Sequence, residues 1–166
     1  MLKHIFEEEV SYDYLVFAHD KQSLHITDRN RAAKWRSDLL SAVLRPDNVN
    51  RILTAFSQMP MIGMCGGRVM VGLVQSGLSV YPGNYPLIKK TYESLFGSLP
   101  QTGAFIGGTM FWVRFNLFKS ALTPHRIDVI LSQLELGNVM EPSTTHAVER
   151  IFGIIVTAQQ YKIGSL

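Results

Sequence analysis

Three short segments of this sequence combine side chains able to do chemistry. The first is His19-Asp20-Lys21, which sets an imidazole, a carboxylate and an ammonium in one tripeptide. A carboxylate here can hold a divalent cation through oxygen or position a substrate hydroxyl, and Lys21 can neutralise a phosphate. The plain alternative is a solvated junction between strand and loop, and spacing alone favours it. A histidine–aspartate metal phosphohydrolase also uses such a pair. It needs further ligands on helices, however, and His4, His25, His125 and His146 do not supply the spacing.

The second segment runs from Phe105 to Arg114. Gly107 and Gly108 let a ligand or a neighbouring strand approach the backbone, Thr109 offers a hydroxyl, and Trp112 offers a flat face to a sugar or base. Apolar residues at this density are usually core, so Met110, Phe111 and Val113 are assigned to packing, leaving Gly108, Thr109 and Trp112 as candidates. The third segment, Glu141 to Arg150, crosses from a loop into a helix N-terminus, where backbone N–H groups favour anions. His146, Glu149 and Arg150 are spaced to share adjoining helix surface, and a local ion-pair network explains them as well as a site does. Phosphate loops of the Walker or dinucleotide type and a Gly-x-Ser-x-Gly nucleophile elbow are absent from the sequence.

The elements that must position these residues follow from periodicity and punctuation. Ser11 to His19 is rich in aromatic and β-branched residues and reads as a buried strand carrying His19, Asp20 and Lys21 to its carboxyl end, where α/β proteins keep their sites. A helix begins at Thr27 or Asp28, shows Trp35, Leu39, Leu40, Val43 and Leu44 on one face, and stops before Pro46. Asp47 is expected to cap a second helix bearing Val49, Ile52, Leu53 and Phe56 and ended by Pro60. Residues 61–65 and 68–74 read as two short strands separated by Gly66 and Gly67. Asn84 opens a helix with Pro86 in its first turn and Gly97 as its stop signal. Residues 104–113 form a central strand kinked at the paired glycines. Thr123 and Ser143 open the last two helices. Alternating strands and helices make the fold class α/β, with a small mixed or mostly parallel sheet flanked by helices.

Composition sets the outer limits. A chain of 166 residues with 46% hydrophobic residues fits one globular domain able to bury a core without disulfides or structural metal, and its lone Cys65 agrees. No apolar run approaches the ~18 residues needed to span a bilayer. Acidic Glu7, Glu8 and Glu9 stand where a secretory signal would be apolar, so a cytoplasmic location is expected. The formal charge is +3, with basic residues scattered except for Arg29, Arg31, Lys34 and Arg36, so no nucleic-acid partner is expected. A charged fraction of 17%, below the usual ~25%, fits a surface partly covered by a partner, a second copy or another protein.

In order and content the segments resemble the rhamnan synthesis protein F family, glycosyltransferase-like proteins of bacterial surface polysaccharide and lipopolysaccharide assembly. That family has an Asp-Tyr strand running into His-Thr-Lys-Lys-Ser, a Trp-Arg-x-Asp-Leu-Leu helix, a Gly-(Thr/Ser)-Met-Phe-Trp-x-Arg strand and a terminal His-Ala-(Ile/Val)-Glu-Arg helix. The counterparts here are Asp13-Tyr14 with His19 to Ser23, Trp35 to Leu40, Gly108 to Arg114, and His146 to Arg150. The similarity spans about residues 12–163.

The resemblance implies a single glycosyltransferase-like domain over residues 1–166, similar to part of a nucleotide-sugar glycosyltransferase fold. It implies a rhamnosyltransferase-like reaction from a nucleotide-sugar donor to a glycan acceptor, with Mg2+ or Mn2+ as the expected cofactor and any membrane association peripheral, at the inner face. Asp20 or Glu141 would act as base or metal ligand. Lys21, Arg36 and Arg150 would contact phosphate, His146 and Glu149 would orient the acceptor, and His19, Gly108, Thr109 and Trp112 would complete the substrate site. Two motifs depart from the family pattern. Asp20 and Gln22 stand in place of Thr and Lys, and Glu141-Pro142-Ser143-Thr144 replaces an Asp-Gly-Thr stretch. The family's upstream segment, with an Asn-x-Gly-Arg-Asp-like motif, is expected to be missing, and a noncatalytic interaction module is the alternative function.

Overall fold

The structure, a computed structural model, describes residues 5–6, 11–19, 28–78, 82–135 and 140–165. Among them, strands β1 (Tyr14–Phe17), β2 (Ile62–Leu73), β3 (Thr102–Arg114) and β4 (Lys162–Ser165) form one sheet in the order β1-β3-β2-β4. β3 runs antiparallel to both β1 and β2, whereas β4 lies parallel to β2, so the sheet is mixed. Six α-helices accompany it among the described residues: α1 (Arg29–Leu44), α2 (Pro46–Gln58), α3 (Tyr85–Phe96), α4 (Phe115–Ala121), α5 (Pro124–Gln133) and α6 (Thr144–Ala158).

Side chains alternate across β3 and so sort the helices into two layers. Met110 and Trp112 face α1 and α2, packing with Leu39 and Val43 of α1 and with Ile52 and Phe56 of α2. Phe111 and Val113 point the other way into the larger core, which holds Ile88 and Tyr92 of α3, Phe115 and Phe118 of α4, Ile127 and Ile130 of α5, and Ile151 and Ile154 of α6. Helices therefore cover both faces of the sheet, the arrangement expected of an α/β domain. α6 lies closest to β3. A Cβ built on Gly153 would collide with the Ala104 carbonyl oxygen and with Phe105 Cα, so helix backbone rests on strand backbone.

Local signals account for most helix ends. Asp28 caps α1, its Oδ1 accepting from the N–H of Asn30 at 2.8 Å and of Arg31 at 3.3 Å. Thr123 and Ser143 cap α5 and α6 through their hydroxyls, and Gly97 closes α3 with a positive φ of 83°. α2 starts one residue before the expected Asp47 cap. Pro46 takes its first turn, because a residue without an N–H leaves no donor unsatisfied there, and Asp47 becomes a first-turn acid. Asn84 precedes α3 without making a side-chain cap bond.

The largest local departure lies in β2. Residues 62–73 form one strand rather than two, because pairing with β3 continues on both sides of Gly66 and Gly67. Gly66 stands opposite Phe111 and Arg68 opposite Gly107, so Gly108, Thr109 and Met110 of β3 face Gly67 alone. The bulge therefore belongs to β3, where its paired glycines predict one. Gly108 takes φ 96° and Thr109 φ 55°, two successive left-handed residues that turn the strand out of its ladder.

Candidate functional site

The bulge on β3 and the first turns of α6 meet at a buried polar joint. Glu149 Oε1 accepts the backbone N–H of Gly108 and, at 2.9 Å, the hydroxyl of Thr109. Its other oxygen, Oε2, takes Arg150 Nη1 at 3.0 Å. Arg150 also donates through Nη1 to the His146 carbonyl at 2.8 Å and through Nη2 to Glu141 Oε1 at 2.8 Å, while its guanidinium lies 4.8 Å from the Phe105 ring centroid. The arginine side chain is 3% exposed and those of Glu149 and Glu141 are 7% and 13% exposed, so this charge network sits within the fold. Burial makes its pairing obligatory, since an unpaired charge at this depth would cost several kcal/mol, roughly 3–5.

His146 stands at the outer side of the joint. Its Nδ1 is 2.6 Å from Ser143 Oγ, and its Nε2 is 3.8 Å from Glu141 Oε1. The Ser143 hydroxyl also accepts the His146 backbone N–H at 3.2 Å. From the other direction, His19 reaches the same bulge: its Nε2, which must carry the proton to do so, donates to the Gly108 carbonyl at 3.2 Å. Gly108 is thus held through its N–H by a helix and through its C=O by His19, two residues beyond the end of β1.

The remaining backbone donors at the start of α6 are already occupied. Glu135 Oε1 accepts from Thr144 N–H at 2.7 Å, and Oε2 accepts from Thr145 N–H and hydroxyl at 2.9 Å each. Desolvation pushes this carboxyl upward, but the donors of Thr144 and Thr145, with the backbone N–H of Glu135 itself, outweigh it and bring the pKa down to about 2. The anion expected at this helix end is therefore a side chain of the protein itself. Glu135 is not visible as such in the sequence, because it caps from a position nine residues before Thr144 rather than from the adjoining residue.

The structure brings together His19, Gly108, Thr109, Glu141, His146, Glu149 and Arg150. Glu149 and Arg150 are buried rather than on shared helix surface, because the bulge supplies the donors and the apolar wall that cover them. Trp112 lies apart, between α1 and α2, with its Nε1 donating to the Val43 carbonyl at 2.8 Å and its ring in their apolar clusters. Arg36 is exposed on α1, one turn before Leu39, whose side chain packs on Gly108. Asp20 and Lys21 lie outside the described residues. Among the described residues no group of three or more His, Cys, Asp or Glu is placed to hold a metal ion, and no helix is long and apolar enough to cross a membrane. Arg114, the last residue of its motif, ties β3 to α2, donating to the carbonyls of Ile62 at 2.8 Å and of Phe56, with its guanidinium 5.1 Å from the Phe56 ring.

Two proteins named Uncharacterized protein WxcX, from two strains of Xanthomonas campestris pv. campestris, are each 28% identical to this chain over 146 residues. That match covers 87% of this chain and 20% of each relative, so the chain spans about a fifth of their length. No solved structure matches it. The family described as Rhamnan synthesis protein F matches residues 1–161, which take in the β3 bulge, the His146 to Arg150 turn and the strand before His19. The chain belongs to the rhamnan synthesis protein F family, which ties it to polysaccharide biosynthesis.

Proposed function

We propose that this domain transfers a sugar from a nucleotide-sugar donor to a hydroxyl of a bacterial surface glycan. The observation that most supports this reading is the setting of His146, with Ser143 Oγ 2.6 Å from Nδ1 and the Glu141 carboxylate 3.8 Å from Nε2. With Nδ1–H donated to Ser143, Nε2 carries the lone pair that takes the acceptor proton. The acceptor oxygen then bonds to the anomeric carbon, and the bond from that carbon to the diphosphate breaks. Glu141, 3.8 Å from that nitrogen, stabilises by its charge the imidazolium that results. Arg36, together with Lys21, supplies positive charge for the departing diphosphate, and Asp20 is an alternative base.

The test is a stability screen against nucleotide-sugars, with and without Mg2+ or Mn2+, followed by transfer assays. A true donor at 100 times its dissociation constant adds about 2.7 kcal/mol. His146→Gln should then lower transfer by roughly 10²-fold or more while leaving donor binding intact. Absence of any donor effect at millimolar concentration, in a folded sample, would overturn the reading. A second reading, a noncatalytic domain that docks on another transferase subunit, draws support from the commitment of Arg150 and Glu149 to internal bonds. Under it, the donor screen is silent and pull-downs recover such a subunit.

A further inference from the structure

The outer edge of β2 is only half covered. β4 pairs with Ile62 to Gly66 and stops there, where Ser165 Oγ donates to the Gly67 carbonyl at 2.7 Å. At the far end a single 3-10 turn, Val74–Ser76, takes the Leu73 carbonyl, which accepts from Ser76 Oγ at 2.7 Å and from Leu78 N–H at 3.3 Å. Between these stops the strand is open. Val74 donates to the Gln101 carbonyl at 2.9 Å, on the β3 side, so by alternation Met70 and Gly72 turn their backbone groups to β3 while Val69 and Val71 turn theirs outward. The N–H and C=O of Val69 and Val71 have no partner among the described residues. Edge strands are ordinarily guarded by lysine, proline or an inward charge, and residues 69–73 hold none of these. Val71 is 72% exposed and Leu73 49%, on the same face as Val69, since alternate residues share a face.

We propose that two copies of this chain join through this edge, β2 against β2, antiparallel about a two-fold axis at Met70. The shape of the opening selects the occupant. Its two stops, Gly67 and Leu73, are equally far from Met70 along the strand, so Gly67 of one copy faces Leu73 of the other, and the missing side chain of glycine leaves room for the turn. Val69 then stands opposite Val71 of the other copy, and every open donor of one strand meets an open acceptor of the second. The valines make cross-strand β-branched pairs. Arg68 faces Gly72, and the two arginines lie at opposite ends of the pair, so no like charges meet. Such an isologous contact fuses two four-stranded sheets into one. It is small, which makes the association concentration-dependent. The inference stands apart from the sugar-transfer reading and holds or fails without it.

The experiment follows mass by sedimentation velocity from micromolar to near-millimolar protein, for the unaltered chain, Val71→Lys and Leu131→Lys. Both substitutions put charge on an exposed apolar residue, but Leu131 lies on α5 rather than on β2. The expected result is a dimer that accumulates with concentration in the unaltered chain and in Leu131→Lys, and a dissociation constant raised about tenfold or more in Val71→Lys. A strand from a different protein is the competing occupant, and it predicts a folded chain that stays monomeric throughout, which overturns the proposal. A dimer left intact by Val71→Lys, or weakened equally by Leu131→Lys, places the contact elsewhere and overturns it too. The register has a readout that does not depend on Val71. Met70→Cys should cross-link into a covalent dimer under copper–phenanthroline, because opposed Cα atoms at a pair of this kind lie about 4.5 Å apart, within disulfide range. Leu73→Cys, whose two copies sit at opposite ends of the pair, should not. Absence of the Met70→Cys cross-link where the chain is dimeric, or equal cross-linking of both variants, overturns the two-fold pairing.

Discussion

The Glu149 carboxylate takes the backbone N–H of Gly108, so a helix side chain supplies the acceptor that the bulged strand cannot find in β2. The bulge removes Gly108, Thr109 and Met110 from the ladder, and a buried N–H left without an acceptor would destabilise the sheet at its centre. Glu149 meets that need but brings a negative charge into the core. Arg150 neutralises it, and Glu141 bonds the arginine in turn. The Gly108–Thr109 bulge and the His146 to Arg150 turn are thus two halves of one structural unit, each requiring the other.

Thr109 separates backbone strain from hydrogen bonding within that unit. Its φ of 55° disfavours a β-branched residue, yet its hydroxyl donates to Glu149. Thr109→Val keeps the strain and removes the donor, which should cost about 1.5–3 kcal/mol, the usual worth of a hydrogen bond to a charged group. Thr109→Gly loses the same donor but relieves about 1–2 kcal/mol of left-handed backbone strain, so it should be the more stable variant. Urea denaturation of the two proteins checks the order, and equal midpoints would mean that Thr109 is unstrained.

Gly153 carries the contact between α6 and β3. An added methyl would meet the Ala104 carbonyl oxygen and Phe105 Cα, which are backbone atoms and cannot swing aside. Gly153→Ala should therefore destabilise by about 3 kcal/mol or more, at the upper end for overpacking, despite alanine's better helix propensity. Thermal unfolding measures it directly, and a neutral or stabilising effect would contradict the close packing of α6 on the strand.

Much of this arrangement is legible in the sequence, and the physical reason differs from place to place. Asp28, Thr123 and Ser143 announce their helices because capping is a local interaction between neighbours in the chain. Gly108 announces a bulge because few residues other than glycine tolerate its positive φ. Gly66 and Gly67 mislead for a related reason: Gly66 serves close packing against Ile106 within a continuing strand. α4 and β4 carry no boundary signal of their own. Phe115 to Ala121 follows directly on β3, and Lys162 to Ser165 becomes a strand by pairing with β2 nearly 100 positions earlier, as the bond from Ser165 Oγ to the Gly67 carbonyl illustrates. At the candidate site, residue types are readable but depth is not. Burial of Glu149 and Arg150 depends on the β3 bulge, some 40 positions earlier in the chain.

Cys65 should behave as an inert core residue. Burial pushes its thiol up to about 11, against smaller opposing effects from the Gly164 backbone and the Arg114 charge. Because the thiolate is the reactive form, labelling by a disulfide reagent at neutral pH should be very slow in the native protein and complete in denaturant. Fast native labelling would mean that the contact between Ile52, Phe56 and Cys65 opens readily.

Glu135 predicts how the protein responds to acid. Its carboxyl titrates near 2 when folded, against an ordinary value of 4.5. A folded-state pKa below the unfolded one gives stability that is fully present above about pH 4.5 and is lost as pH falls toward 2. Glu135→Gln removes the charge at every pH while leaving one acceptor for the start of α6. At neutral pH the variant should melt below the unaltered protein, and the gap should close between pH 4.5 and 2 as Glu135 takes up its proton. Salt should narrow the neutral-pH gap as well, because the residue is exposed and its attraction to the helix end is screened. Parallel Tm-against-pH curves for the two proteins decide the matter: a gap that stays constant through that window would mean that Glu135 does not act as the cap of α6.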